Sequence, residues 1–576
     1  MRPLVVITLI YIGMIMLANW WWHPVIAVPI AQEQSSWIKA LQGNMSGNIS
    51  YGLPAGSSAL LRGIMLGEKT EISREIKDMF ADTGVMHILA VSGLNVGMVA
   101  VIFFFMLTVL FRCKKKQASF ILIFILVIFA QVTGSQASVN RAVVMAIVGL
   151  AAVILERDRD MLNSLGLAAL LLLLYDPGNL FNVGFQLSFA ATLGIILFTP
   201  KLMALLKPLG KIIGGSLAVT LGAQAAVTPL LMYYFHKVSI VSLLSNLAVV
   251  PLVGIITGVG FASYFLRLLF APLGNLIIQL NHYLLALLVA IVRICDSFPY
   301  AFIYTATPGI VALVAYYGAL WWWQAGYRQK YLAFSLAGCL MVNVCAQQVV
   351  TRPLSVSFID VSQGDSILVQ LPDRTAVLID GGGGMNPEYN IADRRVAPYL
   401  WSQGVRSLDT VILTHPHYNH VQGLLAVLDK FKVRQVIMPV LDAPDLRQDY
   451  MRELLAKIRD KKIYVQEWQG GEMLRSSQEL ILESIPGENQ CLVTRLVYKD
   501  RSFLFTSDGC ITAGEEADVL QLPNHGKDIS GDLPQAEYRV VSSRVVPAEE
   551  KIWSTARDGN IKFTTNGKWL KVKTSK

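Results

Sequence analysis

Long apolar runs fill the chain from its start to about residue 350 and then give way to short alternating segments. A helix that crosses a bilayer needs about 20 mostly apolar residues. Such runs cover residues 3–22, 82–110, 118–133, 139–155, 161–175, 184–199, 209–235, 238–271, 273–295, 305–323 and 330–348. They predict a polytopic α-helical membrane bundle of about ten or eleven spans. The stretch from Val238 to Phe270 reads as one long kinked helix, two short ones or a re-entrant pair, so parity leaves open the side on which the chain ends. Further on, apolar residues alternate with polar ones in predicted strands at Val356–Val361, Ser366–Leu371, Thr375–Asp380, Thr410–Leu413, Val433–Met438, Leu480–Ile485, Leu492–Tyr498, Phe503–Phe505 and Val519–Leu522. Separated by turns and a few helices, they predict a β-rich, layered α/β domain.

Polar residues interrupt the apolar runs at particular places. His87, Ser92, Gly93, Asn95 and Gly97 fall inside the run that begins at Asp82. Ser135, Gln136, Ser138, Asn140 and Arg141 stand at the mouth of another, Gln186 and Ser188 lie within a third, and Gln224, Thr228, His236 and Asn246 follow. An unpaired amide or imidazole in hydrocarbon costs several kcal/mol, so these groups face protein or a wet cavity rather than lipid. Close helix packing accounts for the small residues, snorkelling for Arg141, and interhelical hydrogen bonds for single amides. The collective pattern points to a polar pathway through His87, Ser92, Asn95, Arg141, Gln186 and Gln224.

The flanks are simpler. Residues 1–30 form an N-terminal anchor, with Trp20, Trp21 and Trp22 at the interface and no small-residue cleavage site directly after the apolar core. Residues 31–58 are polar and turn-rich and read as a linker. The bundle proper is expected over 59–350 and the soluble domain over 351–576.

Composition agrees with this division. With 54% hydrophobic and 15% charged residues, the chain is too apolar for a single soluble domain. The net charge of +9 suits cytoplasmic basic loops as well as a polyanionic partner. Arg112, Lys114, Lys115 and Lys116 make one such loop and set the orientation of the first spans. The six cysteines have no CxxC spacing, which excludes a zinc knuckle or a disulfide framework; Cys491 and Cys510 can pair if their domain is outside the cytoplasm.

The sharpest chemical signal is THPHYNHVQG. After a strand, His415 and His417 point the same way on extended backbone and His420 opens the next helix, the spacing a metal centre needs. Asp380, followed by Gly381 to Gly384, ends another strand in a turn where backbone can approach an ion or phosphate.

The runs LPAGSSALLRGIMLGEKTEIS, TGVMHILAVSGLNVGM, GSQASVNRAVVMA, DPGNLFNVGFQLSFAATLG and SNLAVVPLVG resemble, in this order, the competence domain of the ComEC family of DNA-uptake proteins. FIDVSQGDSILVQL, VLIDGGG and THPHYNH resemble the metallo-β-lactamase-like domain, an αββα fold, that follows in many family members. The resemblance implies a membrane channel that passes single-stranded DNA across the cytoplasmic membrane of a bacterium in natural transformation. It implies membrane lipid, a DNA receptor and a translocation ATPase as partners, and a C-terminal nuclease domain for the other strand; by functional logic that domain is expected outside the cytoplasm, where incoming DNA is met. The OB-fold insert of relatives is reduced here to the linker, and Asn95 stands where the family commonly has histidine. In the soluble domain the implied metal ligands are His415, His417, His420, Asp508 and His525, with Asp508 and Asn419 at the catalytic positions. Asn419 replaces the family's aspartate and Asn524 a histidine, and no histidine follows His525. An amide is a poorer ligand and no base. The expectation is therefore one zinc or manganese ion rather than two, or none, in a degenerate domain. A metal-dependent membrane-anchored phosphodiesterase and a small-solute permease are the rival functions.

Overall fold

The computed structural model describes residues 3–21, 35–89, 93–135, 137–156, 160–325, 353–361, 363–384, 391–476, 479–486, 491–506, 516–523, 534–542 and 552–575. They form two compact units, Met1–Tyr304 with Tyr316–Leu332, and Thr305–Ala315 with Ala333–Lys576.

The first unit is helical. Its helices are α1 (Pro3–Trp21), α2 (Ser36–Ile49), α3 (Ala55–Leu66), α4 (Arg74–Asp82), α5 (Gly93–Phe105), α6 (Lys115–Val132), α7 (Ala137–Ile154), α8 (Met161–Tyr175), α9 (Val183–Leu205), α10 (Lys211–Tyr234), α11 (Ser242–Leu269), α12 (Ala271–Asp296) and, from Tyr316 onward, the end of α13 (Ile310–Gln324). Five of them, α6, α9, α10, α11 and α12, are long and apolar enough to cross a membrane. The ambiguous stretch after Val238 resolves into one helix, α11, of 28 residues. A short antiparallel strand pair, β1 (Lys237–Ser239) with β2 (Phe302–Tyr304), ties the start of α11 to the segment after α12.

The stretch expected as a linker contains α2, whose Ile38 and Ile49 are buried in the main core of the bundle. Lys39, Gln42, Asn44 and Asn48 on the same helix obscure its apolar stripe in the sequence. Next to it, Leu60, Leu61, Ile64, Met65 and Leu66 of α3 are at most 1% exposed and pack in one cluster with residues of α5, α6, α7, α11 and α12. Helix α3 ends at Gly67, whose left-handed backbone (φ 79°) closes the last turn by donating to carbonyls of Arg62 and Gly63.

The second unit is a two-sheet sandwich. One sheet has eight strands in the order β17-β16-β3-β4-β5-β6-β7-β8. These are β3 (Leu354–Phe358), β4 (Ile367–Gln370), β5 (Ala376–Ile379), β6 (Ser407–Ile412), β7 (Lys432–Pro439), β8 (Tyr464–Trp468), β16 (Ile561–Thr565) and β17 (Leu570–Thr574). The other has seven, in the order β15-β14-β13-β12-β11-β10-β9: β9 (Met473–Ser476), β10 (Leu480–Pro486), β11 (Leu492–Tyr498), β12 (Arg501–Phe505), β13 (Ala517–Gln521), β14 (Ala536–Val541) and β15 (Ile552–Ser554). Facing side chains such as Phe358, Ile379, Ile437, Leu496, Phe503, Phe505 and Phe563 fill the space between the sheets. Helices α14 (Ala397–Ser402), α15 (Tyr418–Lys430) and α16 (Asp449–Asp460) lie in the connections of the first sheet. β5, β6, β7 and β8 run parallel, so their C-terminal ends share one rim, where a site in such a sheet forms.

Candidate functional site

At that rim β5 ends in Asp380 and β6 leads into Thr414, His415 and α15. Asp380 has φ +56°, a left-handed conformation that short polar side chains tolerate better than most. The bend sends the chain into Gly381 and Gly382, which run against α15: Gly423 N donates to the Gly382 carbonyl at 2.9 Å and Gly381 N to the His420 carbonyl at 3.0 Å. A Cβ on Gly423 would lie 1.8 Å from the Gly381 oxygen, so only glycine permits this approach.

The result is a buried cluster in which Asp380, His415 and His420 offer ligand atoms within 4.8 Å of one another. Asp380 Oδ1 accepts from Thr414 N at 2.8 Å, and Oδ2 accepts from the Thr414 hydroxyl at 2.5 Å and from His420 Nδ1 at 2.8 Å. A carboxylate can only accept, so the proton of His420 sits on Nδ1 and Nε2 carries the lone pair. The Thr414 hydroxyl spends its hydrogen on Asp380 and therefore accepts from His415 Nδ1 at 3.1 Å, which leaves the lone pair of His415 on Nε2 as well. One carboxylate thus sets two imidazoles in the tautomer that binds metal, the usual work of an acid behind metal-ligating histidines. The donor set fits a metal ion, and two neutral imidazoles suit zinc chemistry.

The remaining soluble-domain residues divide. His417 is exposed; its ring centroid lies 4.6 Å from that of His415, and it is not part of the buried cluster. Asn419 is half-buried at the start of α15, where its main chain packs beneath Gly364 and Gly383. Asp508, Asn524 and His525 lie outside the described residues. Asp380 was not among the site residues carried by the histidine motif; the signal for it was the strand-ending aspartate before a glycine run.

In the helical unit the polar residues join neighbouring elements. Asn95, 2% exposed, donates to the Ile64 carbonyl in the last turn of α3 at 2.7 Å. Arg141 on α7 donates from Nη1 to the Ser188 carbonyl on α9 at 3.1 Å. A Cβ on Gly93 of α5 would come within 3.3 Å of its Nη2, while its Nε is buried with no hydrogen-bond partner among the described residues. Gln186 on α9 accepts from the Tyr234 hydroxyl on α10 at 2.7 Å, and Gln224 on α10 donates to the Ser242 hydroxyl on α11 at 2.5 Å. Ser245 on α11 donates to the Thr83 carbonyl at 2.7 Å, and His87, exposed, stands in the short helical turn Met86–Ile88 that follows. Ser92 lies outside the described residues. The contacts form a loop that passes from α5 through α7, α9, α10 and α11 back to the turn before α5.

A family model for competence proteins matches residues 64–329, and one for the metallo-β-lactamase superfamily matches residues 359–536. The two matches, in this order, are consistent with the ComEC family. ComE operon protein 3 of Bacillus subtilis is 26% identical over 515 residues, which is 82% of this chain and 64% of that protein. Competence protein ComA of Neisseria gonorrhoeae is 26% identical over 404 residues, 67% of this chain and 54% of ComA. YcaI of Escherichia coli, an uncharacterised protein, is 24% identical over 506 residues, 83% of this chain and 64% of YcaI. The chain thus aligns with less than two thirds of the length of each of these relatives.

Proposed function

We propose that this chain carries single-stranded DNA across the cytoplasmic membrane of a bacterium in natural transformation. The reading rests on Arg141. Its guanidinium is one link in the loop of polar helix contacts, is held by a neutral carbonyl, and has no carboxylate partner among the described residues. A cation left without a counter-anion suits the passage of a polyanion. His87, Ser92, Asn95, Gln186 and Gln224 complete the pathway. Two relatives bear competence names, which supports the same reading. A DNA receptor and a translocation ATPase are the partners this role requires. Arg141→Ala is expected to abolish entry of labelled DNA in a transformable host at unchanged expression; undiminished entry refutes the assignment.

The topology follows from alternation. With the basic loop at Arg112 to Lys116 inside, and with α1, α5, α7, α8 and α13 taken as crossings beside the five long helices and the apolar run at 330–348 as one more, the count is eleven. An odd number from a cytoplasmic N-terminus puts the soluble domain outside, where incoming DNA is met. The same alternation gathers Lys201, Lys207, Lys211 and Arg267 on the cytoplasmic side. Cys491 is disulfide-bonded, which suits an oxidising compartment.

The buried Asp380–His415–His420 cluster favours a second activity, metal-dependent phosphodiester hydrolysis, with Asp508 and Asn419 at the catalytic positions and His417 and His525 as further ligands. Asn419 stands where a second ion needs a carboxylate, so the centre holds one zinc or manganese ion more readily than two, and the domain guides DNA more than it cuts it. Chelator is expected to leave DNA entry intact; loss of entry on metal removal makes hydrolysis the principal function.

A further inference from the structure

The last strand pair of the soluble domain has a composition that packing does not require. Residues 561–575 contain Lys562, Lys568, Lys571 and Lys573 and no acidic residue. β17 is the edge of the eight-stranded sheet. Its Leu570 and Val572 pack against the sandwich core, so Lys571 and Lys573 stand on the opposite face, both exposed. Lys573 lies directly across from Lys562 in the strand register, an arrangement of like charges that weakens a sheet. Lys562 turns to the Gln403 carboxamide at 2.7 Å. Among the described residues no carboxylate pairs with Lys568, Lys571 or Lys573. By contrast, Arg501 beside the hairpin is held by Asp518 at 2.6 Å and donates to the Lys568 carbonyl at 3.0 Å.

The loop between the two strands is held by its own hydrogen bonds. Asn566 Oδ1 accepts from Lys568 N at 3.1 Å and Trp569 N at 3.3 Å, and Thr565 Oγ1 donates to the Trp569 carbonyl at 2.5 Å and accepts from Gly567 N at 2.9 Å. This frame presents Trp569, with 44% of its surface exposed, between Lys568 and Lys571. Lysines alone are a common way to keep a sheet edge from pairing with another chain. An exposed indole among them works against that purpose and is the partner a nucleobase stacks on.

Position in the sheet identifies the ligand further. The register runs Thr574–Ile561–Phe358–Ile367–Ile379, so the end of β17 lies on the same rim as Asp380. Four strand spacings separate them, about 19 Å. Lys571 and Lys573 repeat every second residue along a line leading to that rim, a step of about 6.8 Å. We propose that the Lys568–Trp569–Lys571–Lys573 face of β17 is a docking strip for single-stranded nucleic acid, phosphates on the lysines and a base on Trp569, leading along the sheet edge to the metal-site rim. The proposal rests on the reading that this domain meets DNA.

The test uses the full chain in phosphatidylcholine nanodiscs and a fluorescent oligothymidylate of about 16 nucleotides, the upper end of a single-strand site. Anisotropy is read over a salt series. K571Q/K573Q is expected to weaken binding and to flatten the plot of log K against log salt by about 1.4, two phosphate contacts at about 0.7 each. Lys571→Arg with Lys573→Arg is expected to keep both, and Trp569→Ala to lose about tenfold in affinity. Wild-type affinity and slope in the glutamine variant overturn the proposal. So does a glutamine variant that keeps the oligonucleotide but no longer binds phosphatidylglycerol vesicles, since the strip would then serve an anionic membrane. If the wild-type protein itself fails to bind the oligonucleotide, the DNA-facing reading of the domain falls along with the strip.

Discussion

Replacing Asp380 by asparagine isolates what its charge does. The shape is unchanged, and asparagine is the residue best able after glycine to hold the φ of +56° at this position. Its remaining oxygen keeps the bond from Thr414 N. The new amide then faces the Thr414 hydroxyl and His420 Nδ1, both of which donated to the carboxylate. Each charge-assisted bond is worth about 1.5–3 kcal/mol. Both partners can reverse and accept from the amide instead, so the net loss is about 2 kcal/mol, a fraction of an ordinary domain's stability. The reversal matters more for metal. It moves the proton of His420 onto Nε2, and a Thr414 hydroxyl that now donates to His415 Nδ1 moves that proton to Nε2 too. Loss of a supporting carboxylate costs about 10–100-fold in metal affinity, and with both imidazoles reversed the upper end is expected. Zinc titration of the full chain against a competing chelator reads the affinity, and hydrogen exchange of peptides covering β5 and β6 reads the stability. Undiminished zinc affinity in Asp380→Asn would show that the carboxylate does not set the tautomers.

Two further outcomes are expected. Gly423→Ala places a methyl group 1.8 Å from the Gly381 oxygen and should cost about 3 kcal/mol or more, seen as proteolysis within residues 353–575 in a chain whose helical unit stays protected. Asn95→Ala leaves the Ile64 carbonyl buried and unbonded at the end of α3, a loss of about 1–3 kcal/mol that should lower the unfolding temperature in detergent.

Much of this molecule is written in its apolar pattern. Long runs marked the helices, because a soluble core seldom needs an apolar stripe as long as a bilayer is thick, and period-two segments marked the strands from β3 to β7 and from β10 to β13. The pattern failed where polar residues share an element with buried ones. Helix α2 hides Ile38 and Ile49 among lysine and amides, and the lysines of β16 and β17 disguise a strand pair whose other face closes the core. At the metal-site rim the histidine spacing was legible, but spacing does not say which way a ring turns: His417 faces solvent while His415 and His420 turn inward. Nor could it show that Asp380, remote in sequence from these histidines, sets their tautomers, because that depends on the parallel pairing of β5 with β6.

Helix α3 has a consequence for how the protein is made. It has 12 residues, too few for a translocon to release sideways as an independent segment, and its packing partners on α11 and α12 are synthesised almost 200 residues later. The ribosome has therefore delivered most of the later helices before α3 gains the last of its neighbours. Assembly in this region finishes long after α3 is made, and a nascent chain arrested before residue 242 carries a segment that only its earlier neighbours shelter, which quality-control proteases can reach.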